Sequence, residues 1–265
     1  MAVTPIYSPE NLHGVAYQLR FSWTGWPSGG ELPELSSAVL SALEPLWEAD
    51  GLRRLEHIWQ PQRVQITLSA KPHVSPVFLA ARVKGRLQHV LREHGTPADF
   101  SRKVSVRSVG DRRTDHIVEY VRGQVEKEPV VDERFRELLR PFSVSDPAVS
   151  FAAPTESRSG RYWYNLHLVL VTQERDRIVD QERLALIRDQ TLRIAAKKGH
   201  TIGELSILPD HLHMALRGDI EQSPQDIALC YLNNLAYALG QKAVWQFGYY
   251  AGTFGEYDMG AVRGE

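Results

Sequence analysis

The chain has 265 residues, 43% of them hydrophobic and 24% charged, with a formal net charge of −1. That composition is ordinary for a globular protein, and the length fits one large domain or two domains of about 100–130 residues. There is no apolar run of the ~18–20 residues that a membrane span needs and no signal-peptide pattern, and the single cysteine, Cys230, excludes an internal disulfide and a cysteine-based zinc site. We therefore expect a cytoplasmic protein without a membrane partner, and the net charge alone does not indicate a nucleic-acid binder.

The chain repeats itself over a long distance. Residues 17–23 resemble residues 164–170, and residues 56–91 align without a gap with residues 204–239, at a constant offset of 148. A repeat of this length predicts two copies of one domain rather than a solenoid. We expect a first domain at residues 1–129, a linker at 130–157 and a second domain at 158–265.

The first copy contains a basic stretch that the overall charge hides. Residues 82–113 carry nine basic and three acidic side chains, a local net charge of +6. Such a stretch favours contacts with nucleic-acid phosphates, although a solvated basic face is the alternative. The predicted DNA-binding residues are Arg82, Lys84, Arg86, Arg102, Lys103, Arg107, Arg112 and Arg113.

A predicted helix follows the basic stretch and starts near Thr114 or Asp115. The four-residue spacing of Tyr120 and Gln124 would place both side chains on one helix face, one turn apart. A tyrosine there could act as a nucleophile, and the glutamine oxygen could bind a metal. An amphipathic helix with a tyrosine at its edge is the alternative. The proline-rich linker that follows is expected to hold one short helix around residues 132–139.

The second copy has a clear order of predicted elements. A strand at 162–172 precedes a helix at 180–198 that stops at Gly199, and two strands at 201–208 and 211–217 flank a turn. Ser223-Pro224 opens a helix to about residue 239, and a strand at 249–254 ends the series. The order β-α-β-β-α-β predicts an α+β protein made of two tandem ferredoxin-like domains with antiparallel sheets.

Two histidines stand close together on one predicted strand. His211 and His213 are two residues apart and so share one face, while Leu212 and Met214 face the core. Two imidazoles with open positions beside them suit a catalytic metal. Two surface histidines on a sheet are the alternative.

Together these motifs resemble the HUH single-tyrosine transposases, the enzymes of single-stranded-DNA insertion sequences and their repeat-associated relatives. The resemblance is carried by Pro209-Asp-His-Leu-His213, the Ser-Pro helix start, the strand Trp245-x-x-Gly-Tyr-Tyr250 and the helix Tyr120-x-x-x-Gln124. It implies a tyrosine that attacks a DNA phosphate, forms a 5′-phosphotyrosine and releases a 3′-hydroxyl. It also implies Mg²⁺ or Mn²⁺, held by the two histidines and usually the glutamine.

The same resemblance implies a substrate and an assembly. The substrate would be single-stranded, hairpin-containing DNA, and family members act as dimers in which the tyrosine helix of one subunit can complete the histidine site of the other. Trp245, Tyr249 and Tyr250 could stack on unpaired bases, with a place in the core as the alternative.

Each copy departs from the family pattern where the other keeps it. The first copy has Arg63 and Gln65 in place of the two histidines. Counting from Gly255 as from Gly110, the second copy would have its tyrosine at position 265, which is Glu265.

We therefore expect one composite active site, with Tyr120 and Gln124 from the first copy and His211 and His213 from the second. The chain would be a monomer folded as an internal pseudo-dimer. The predicted activity is metal-dependent cleavage and rejoining of single-stranded DNA. A domesticated transposase that binds structured DNA without cutting it, and a decayed product without activity, are the alternatives.

Overall fold

A computed structural model of the chain describes residues 5–128, 133–240 and 243–257. It is an α+β structure in which two six-stranded sheets are joined by hydrogen bonds between Thr253 of one sheet and Arg20 and Val109 of the other. Its strands are β1 (Gly14–Gln18), β2 (Arg20–Gly25), β3 (Leu52–Gln60), β4 (Arg63–Ala70), β5 (Val104–Val109), β6 (Val144–Ser145), β7 (Thr155–Ser157), β8 (Gly160–Trp163), β9 (Asn165–Val171), β10 (Thr201–Ile207), β11 (His211–Arg217) and β12 (Gly248–Thr253). Its α-helices are α1 (Ser37–Ala49), α2 (Pro76–Glu93), α3 (Thr114–Arg122), α4 (Gln124–Lys127), α5 (Glu133–Leu139), α6 (Gln181–Lys198) and α7 (Pro224–Ala238).

The two sheets have the same plan. The first sheet has the order β3-β4-β2-β5-β8-β7, and the second has the order β6-β10-β11-β9-β12-β1. In each, the four strands of one β-α-β-β-α-β series are antiparallel neighbours in the order second, third, first, fourth. This is the ferredoxin-like arrangement, so the predicted fold class is confirmed.

Each half of the chain also supplies a strand to the other half's sheet. Strand β1 pairs in parallel with β12, and β8 pairs in parallel with β5. The chain crosses between sheets at Leu19 and again at Tyr164, both of which are buried. The single strand expected at 162–172 is therefore wrong in one respect, because it is two strands that belong to different sheets.

The repeat has a geometric counterpart in the hairpins. The hairpins β3–β4 and β10–β11 keep the offset of 148, and each contains an irregularity at the equivalent place, between Arg54 and Glu56 and between Ile202 and Glu204. The first strand of each copy shifts by two residues from the sequence alignment. Ser22 pairs with Thr67 as His167 pairs with Ala215, so these two positions correspond.

Most helix ends lie where the sequence predicts them. Ser75 and Ser223 cap α2 and α7 by accepting backbone N–H bonds, and each is followed by proline. Helix α6 begins after the cap Asp180 and ends at Gly199, whose φ of 74° is left-handed. Helix α3 starts at Thr114, as expected, but ends at Arg122.

The segment expected to be a linker contributes structure to both sheets. It contains α5, which lies close to the predicted helix. Its strand β6 pairs with β10 in the second sheet, and its strand β7 pairs with β8 in the first sheet. Part of that predicted helix and the N-terminal edge of the linker, residues 129–132, lie outside the described residues. The division of the chain at residues 129 and 158 stays a prediction. In the part of the chain that the structure describes, no helix is long and apolar enough to cross a membrane.

The second sheet is covered on both faces, and this arrangement creates the site. Helices α6 and α7 pack on the face to which Leu212 and Met214 point, and both side chains are fully buried. Helix α3, which comes from the first half of the chain, contacts β10 and β11 from the side of His213. Side chains alternate between the two faces of β11, so that one set packs in the apolar core and the other set faces α3.

Candidate active site

Three contacts hold α3 on the second sheet. Val121 is fully buried and packs with Ala215, and its carbonyl accepts a bond of 2.6 Å from the hydroxyl of Ser206. Arg122 forms an ion pair of 2.6 Å with Glu204, whose side chain is 5% exposed. Because these contacts involve the two residues that follow Tyr120, they hold this part of α3, and the tyrosine with it, against the sheet.

The ring of Tyr120 contacts two histidines of the second half. The ring centroids lie 5.6 Å from His213 and 5.7 Å from His167, both edge-on. His211 is next to His213, with ring centroids 5.0 Å apart. The ammonium of Lys127 lies 4.7 Å from the centroid of the Tyr120 ring. The structure therefore brings together the tyrosine and the histidines that the sequence singled out.

A cavity of about 590 Å³ opens at this place, which is a size common for ligand sites. Its wall contains Tyr120, His167 and His213 together with a second tyrosine, Tyr250. The remaining lining residues are Gln18, Asp111, Arg112, Ile117, Val169, Gly252 and Thr253.

His167 forms a buried pair with His213. The two rings are stacked at 5.3 Å, and Nε2 of His167 lies 3.0 Å from Nδ1 of His213. Burial lowers the pKa of His167 to about 4. Burial, and next the nearby charges of His167, His211 and Lys127, lower the pKa of His213 to about 2. Both imidazoles are therefore neutral at pH 7, and one proton bridges them.

His211 is oriented by an acidic partner. Its Nδ1 lies 2.6 Å from Oδ1 of Asp210, and Arg175 binds the other carboxylate oxygen at 3.0 Å. Burial opposes the ionisation of Asp210, but the bonds from His211 and Arg175 outweigh it and lower the pKa of this carboxyl. An ionised Asp210 accepts the Nδ1 proton and leaves Nε2 of His211 as the basic nitrogen.

The histidine pair fits a divalent metal. In each ring Nδ1 already has a partner, Asp210 for His211 and His167 for His213, and Nε2 is the remaining ligand atom. Metal-binding histidines in proteins commonly have their second nitrogen held in this way. Within residues 5–128, 133–240 and 243–257, no group of three or more His, Cys, Asp or Glu side chains is arranged to hold an ion. Further ligands would have to be oxygen atoms of other kinds.

Gln124 is placed differently from the prediction. Gly123 ends α3, so Gln124 begins the separate helix α4 rather than continuing the tyrosine helix. Its side chain is buried, and Nε2 donates a bond of 2.7 Å to the carbonyl of Tyr120. The structure thus joins Gln124 to the tyrosine backbone, whereas the wall of the cavity is formed by other residues.

The predicted DNA-binding residues do not form one surface. Lys84 donates a bond to the carbonyl of Ser101, and both Arg82 and Arg86 form ion pairs with Asp50. These three side chains belong to α2, which lies on the opposite face of the first sheet from Arg107.

The other predicted cations lie nearer to cavities or in solvent. Arg112 lines the tyrosine cavity, and Arg107 lines a second cavity on the first sheet. Arg102, Lys103 and Arg113 are exposed. Arg107 and Arg112 thus line cavities, and contact of the eight predicted cations with DNA stays a prediction.

Two of the aromatic residues considered for base stacking are core residues. Trp245 is 1% exposed and Tyr249 is 4% exposed. Tyr250 is half-buried in the cavity wall, where its ring meets His167 edge-on at 5.5 Å. Burial, followed by the charge of Asp111, raises the pKa of Tyr250.

His167 was missed by the sequence reasoning. It lies on β9, beside β11, and its side chain points to the same face as those of His211 and His213. The signal was present as a polar residue inside the apolar strand Asn165–Val171, at a position facing away from the core. No sequence pattern indicated Lys127. It lies over the Tyr120 ring because the chain breaks the helix at Gly123, and that break was not predicted.

Comparison with known proteins supplies one family match. Residues 161–264 match the model of the family described as "Transposase IS200 like". No curated protein matches the chain at a significant level.

Solved structures give weaker similarities. The "putative transposase from deinococcus radiodurans r1" is 20% identical, with a TM-score of 0.30, and the match covers 33% of this chain and 75% of that one. The "putative glycine cleavage system transcriptional repressor" is 11% identical, with a TM-score of 0.23, and the match covers 88% of this chain and 95% of that one. At these TM-scores neither likeness supports an argument about function. The stretch that is similar to the IS200-like transposase family, residues 161–264, includes His167, His211 and His213.

Proposed function

We propose that this chain cleaves and rejoins single-stranded DNA through Tyr120, at one composite site shared by the two halves. The observation that carries the proposal is the contact of the Tyr120 ring with His213, at 5.6 Å. The family match covers the part of the chain that contains His213 and supports a transposase-like activity. The reciprocal exchange of β1 and β8 further supports the interpretation of the chain as an internal pseudo-dimer.

The proposed step is a transesterification. The phenolic oxygen of Tyr120 forms a bond to phosphorus as the bond from phosphorus to the 3′-oxygen breaks. The phenol loses its proton, and the departing 3′-oxygen gains one. The phosphotyrosine diester conserves the energy of the cleaved bond, so that rejoining by the 3′-hydroxyl requires no nucleoside triphosphate.

Tyr120 is the better nucleophile of the two tyrosines in the cavity. Tyr250 has a pKa raised by burial, which opposes formation of its phenolate. Tyr120 lies on α3, which packs on the face of the second sheet that carries the histidines, and the Lys127 ammonium lies over its ring.

The histidines would hold the metal ion that the family resemblance implies. His211 and His213 would bind it through Nε2, with His167 and Asp210 orienting them through Nδ1. A hard cation such as Mg²⁺ or Mn²⁺ would polarise the scissile phosphate, with phosphate and water oxygens completing its shell. The family resemblance also implies Gln124 as an oxygen ligand; its side chain is bonded to the Tyr120 carbonyl outside the cavity wall, so this role requires it to turn towards the histidines.

The test is formation of a covalent adduct with labelled single-stranded hairpin DNA in the presence of Mn²⁺. The wild type should form the adduct, and Tyr120→Phe and His211→Ala should each abolish it. Tyr250→Phe serves as the matched control, because it removes a hydroxyl from the same cavity. An adduct that survives Tyr120→Phe would contradict the assignment of the nucleophile.

A binding protein that does not cut DNA is the second candidate. It is favoured by the described part of the chain having no cluster of three acidic, histidine or cysteine ligands. Tight binding of hairpin DNA without an adduct in Mg²⁺, Mn²⁺, Ni²⁺ or Zn²⁺ would support this candidate over the enzyme.

A further inference from the structure

The first sheet carries a second cavity at the place equivalent to the histidine site. Its volume is about 380 Å³, and it lies on the face of β2, β4 and β5 opposite the core. Arg63 and Gln65 occupy its wall at the offset of 148 from His211 and His213. The cavity is therefore the counterpart of the histidine site with a changed set of side chains.

The changed side chains form a basic and aromatic lining. Three arginines line the cavity, Arg63, Arg107 and Arg161, against one lining carboxylate, Glu256. The guanidinium of Arg107 stacks 3.5 Å from the ring centroid of Trp163. Trp26 forms another part of the lining and is 40% exposed, so its ring is accessible from solvent.

The charges in this cavity are only partly neutralised. Arg107 lies 3.8 Å from Glu256, and Arg161 forms an ion pair with Glu156 in which both side chains are largely exposed. Arg63 donates to the neutral side-chain oxygen of Gln60. An exposed ion pair contributes little, so a phosphate could replace Glu156 on Arg161 at small cost.

The two cavities meet where the halves cross. Ser108 lines the first-sheet cavity and Thr253 lines the tyrosine cavity. The hydroxyl of Ser108 donates to the carbonyl of Phe254, and the hydroxyl of Thr253 donates to the carbonyl of Val109. Residues at the edges of the two cavities are therefore joined directly by hydrogen bonds at this junction.

We propose that the first-sheet cavity binds an unpaired segment of single-stranded DNA. Arg63 and Arg161 would contact backbone phosphates, and a base would stack on Trp26 beside the Arg107–Trp163 pair. Alternating cations and accessible aromatic rings are the features by which proteins hold unpaired nucleotides. The inference rests on the proposed substrate but not on cleavage, because this cavity lacks a histidine pair.

The test measures binding of fluorescent oligothymidine to full-length protein carrying Tyr120→Phe, which prevents covalent capture. Adding Arg63→Gln and Arg161→Gln should weaken binding about tenfold and reduce the slope of log K against log salt by ~1.4, at ~0.7 per lost phosphate contact. The charge control is Arg53→Gln with Arg92→Gln, two exposed arginines that are not part of the cavity wall, and it should change the affinity less than about twofold.

A second pair of variants tests the base contact. Trp26→Ala should weaken binding about tenfold, within the range of one lost stacking contact. Tyr237→Ala is its control, since Tyr237 is 71% exposed on the outer surface of α7. A duplex of the same length should bind without dependence on Trp26.

The outcomes separate this inference from the proposed function. Unchanged affinity and salt slope in the Arg63→Gln, Arg161→Gln protein would overturn the cavity assignment, even if the wild type forms the adduct. Equal dependence of duplex binding on Trp26 would overturn the assignment to an unpaired base. Failure of the parent protein to bind any single-stranded DNA would overturn both proposals.

Discussion

The ring of Tyr120 meets the ring of His213 edge-on, with their centroids 5.6 Å apart. Tyr120 belongs to the helix that follows the first ferredoxin-like series, whereas His213 lies on a central strand of the second. Neither half of the chain contains both groups. The contact therefore brings one side chain from each half to a single place, as the composite site expected from the repeat requires.

His167 is expected to act as a positioning residue for the metal. Its Nε2 is 3.0 Å from Nδ1 of His213, so it sets which nitrogen of His213 carries the proton. His167→Gln should lower the affinity for Mn²⁺ about 10–100-fold, as is typical when a ligand loses its orienting partner. Calorimetric titration without DNA measures this directly.

The matched control for that titration is His89→Gln, an exposed histidine of α2. An unchanged Mn²⁺ affinity in the His167→Gln protein would remove His167 from the metal site.

The ion pair between Arg122 and Glu204 should be coupled to the position of the tyrosine helix. Arg122→Ala leaves the buried carboxylate of Glu204 with only the hydroxyl of Ser145 among its side-chain partners in the described residues. We expect a loss of about 1–3 kcal/mol in the free energy of unfolding and reduced adduct formation. Urea denaturation gives the first quantity and the DNA assay gives the second.

Glu204→Gln in the same protein should recover part of both losses, because it removes the unpaired charge. Additive losses in the double variant would show that the two residues are not coupled.

Gly110 is required by the crossing of the two halves. A Cβ at this position would collide with the carbonyl oxygen of Thr253, and at Gly255 the reciprocal clash would involve the carbonyl of Ser108. Gly110→Ala should therefore cost about 1–3 kcal/mol of stability, through overpacking of backbone against backbone. Thermal unfolding should show the loss, with Gly29→Ala as a control because that position is open. Equal melting temperatures for Gly110→Ala and wild type would contradict the tight crossing.

A buried histidine away from the site should make stability depend on pH. His200 is 6% exposed, and burial lowers its pKa, although a bond to Gln222 opposes the shift. The unfolded chain then takes up a proton near pH 6.5 while the folded chain does not, so this contribution is present above pH 6.5 and is lost as the pH falls below it.

His200→Gln should therefore flatten the fall in the free energy of unfolding between pH 7 and 5, whatever its effect at pH 7. Denaturation curves across that range provide the measurement, and an identical slope in both proteins would contradict the assignment.

The sequence predicted most of the fold because its signals are local. Ser75 and Ser223 before prolines, and Gly199 after a periodic run, define helix ends through capping that needs no tertiary contact. The exchange of β1 and β8 was not predictable in this way. Leu19 and Tyr164 continue the strand pattern, and only pairing across the molecule divides each stretch between two sheets.

In the site, too, features set by local sequence were predicted and features set by tertiary packing were not. The spacing of His211 and His213 on one strand is local and was predicted, and the proximity of Tyr120 followed from comparing the two copies. His167 depends on a neighbouring strand's register, and the break between Tyr120 and Gln124 depends on how Gly123 ends the helix. Register and helix termination at this place are decided by packing on the second sheet.

Identification of the residue that becomes attached to DNA tests the central claim most directly. Wild-type protein would be reacted with single-stranded hairpin DNA and Mn²⁺, digested with protease and nuclease, and analysed by mass spectrometry. We expect a nucleotide on the peptide that contains Tyr120, and its loss in the His211→Ala protein. Attachment to Tyr250, or to Tyr120 at an undiminished level in the His211→Ala protein, would contradict a composite site made from the two halves.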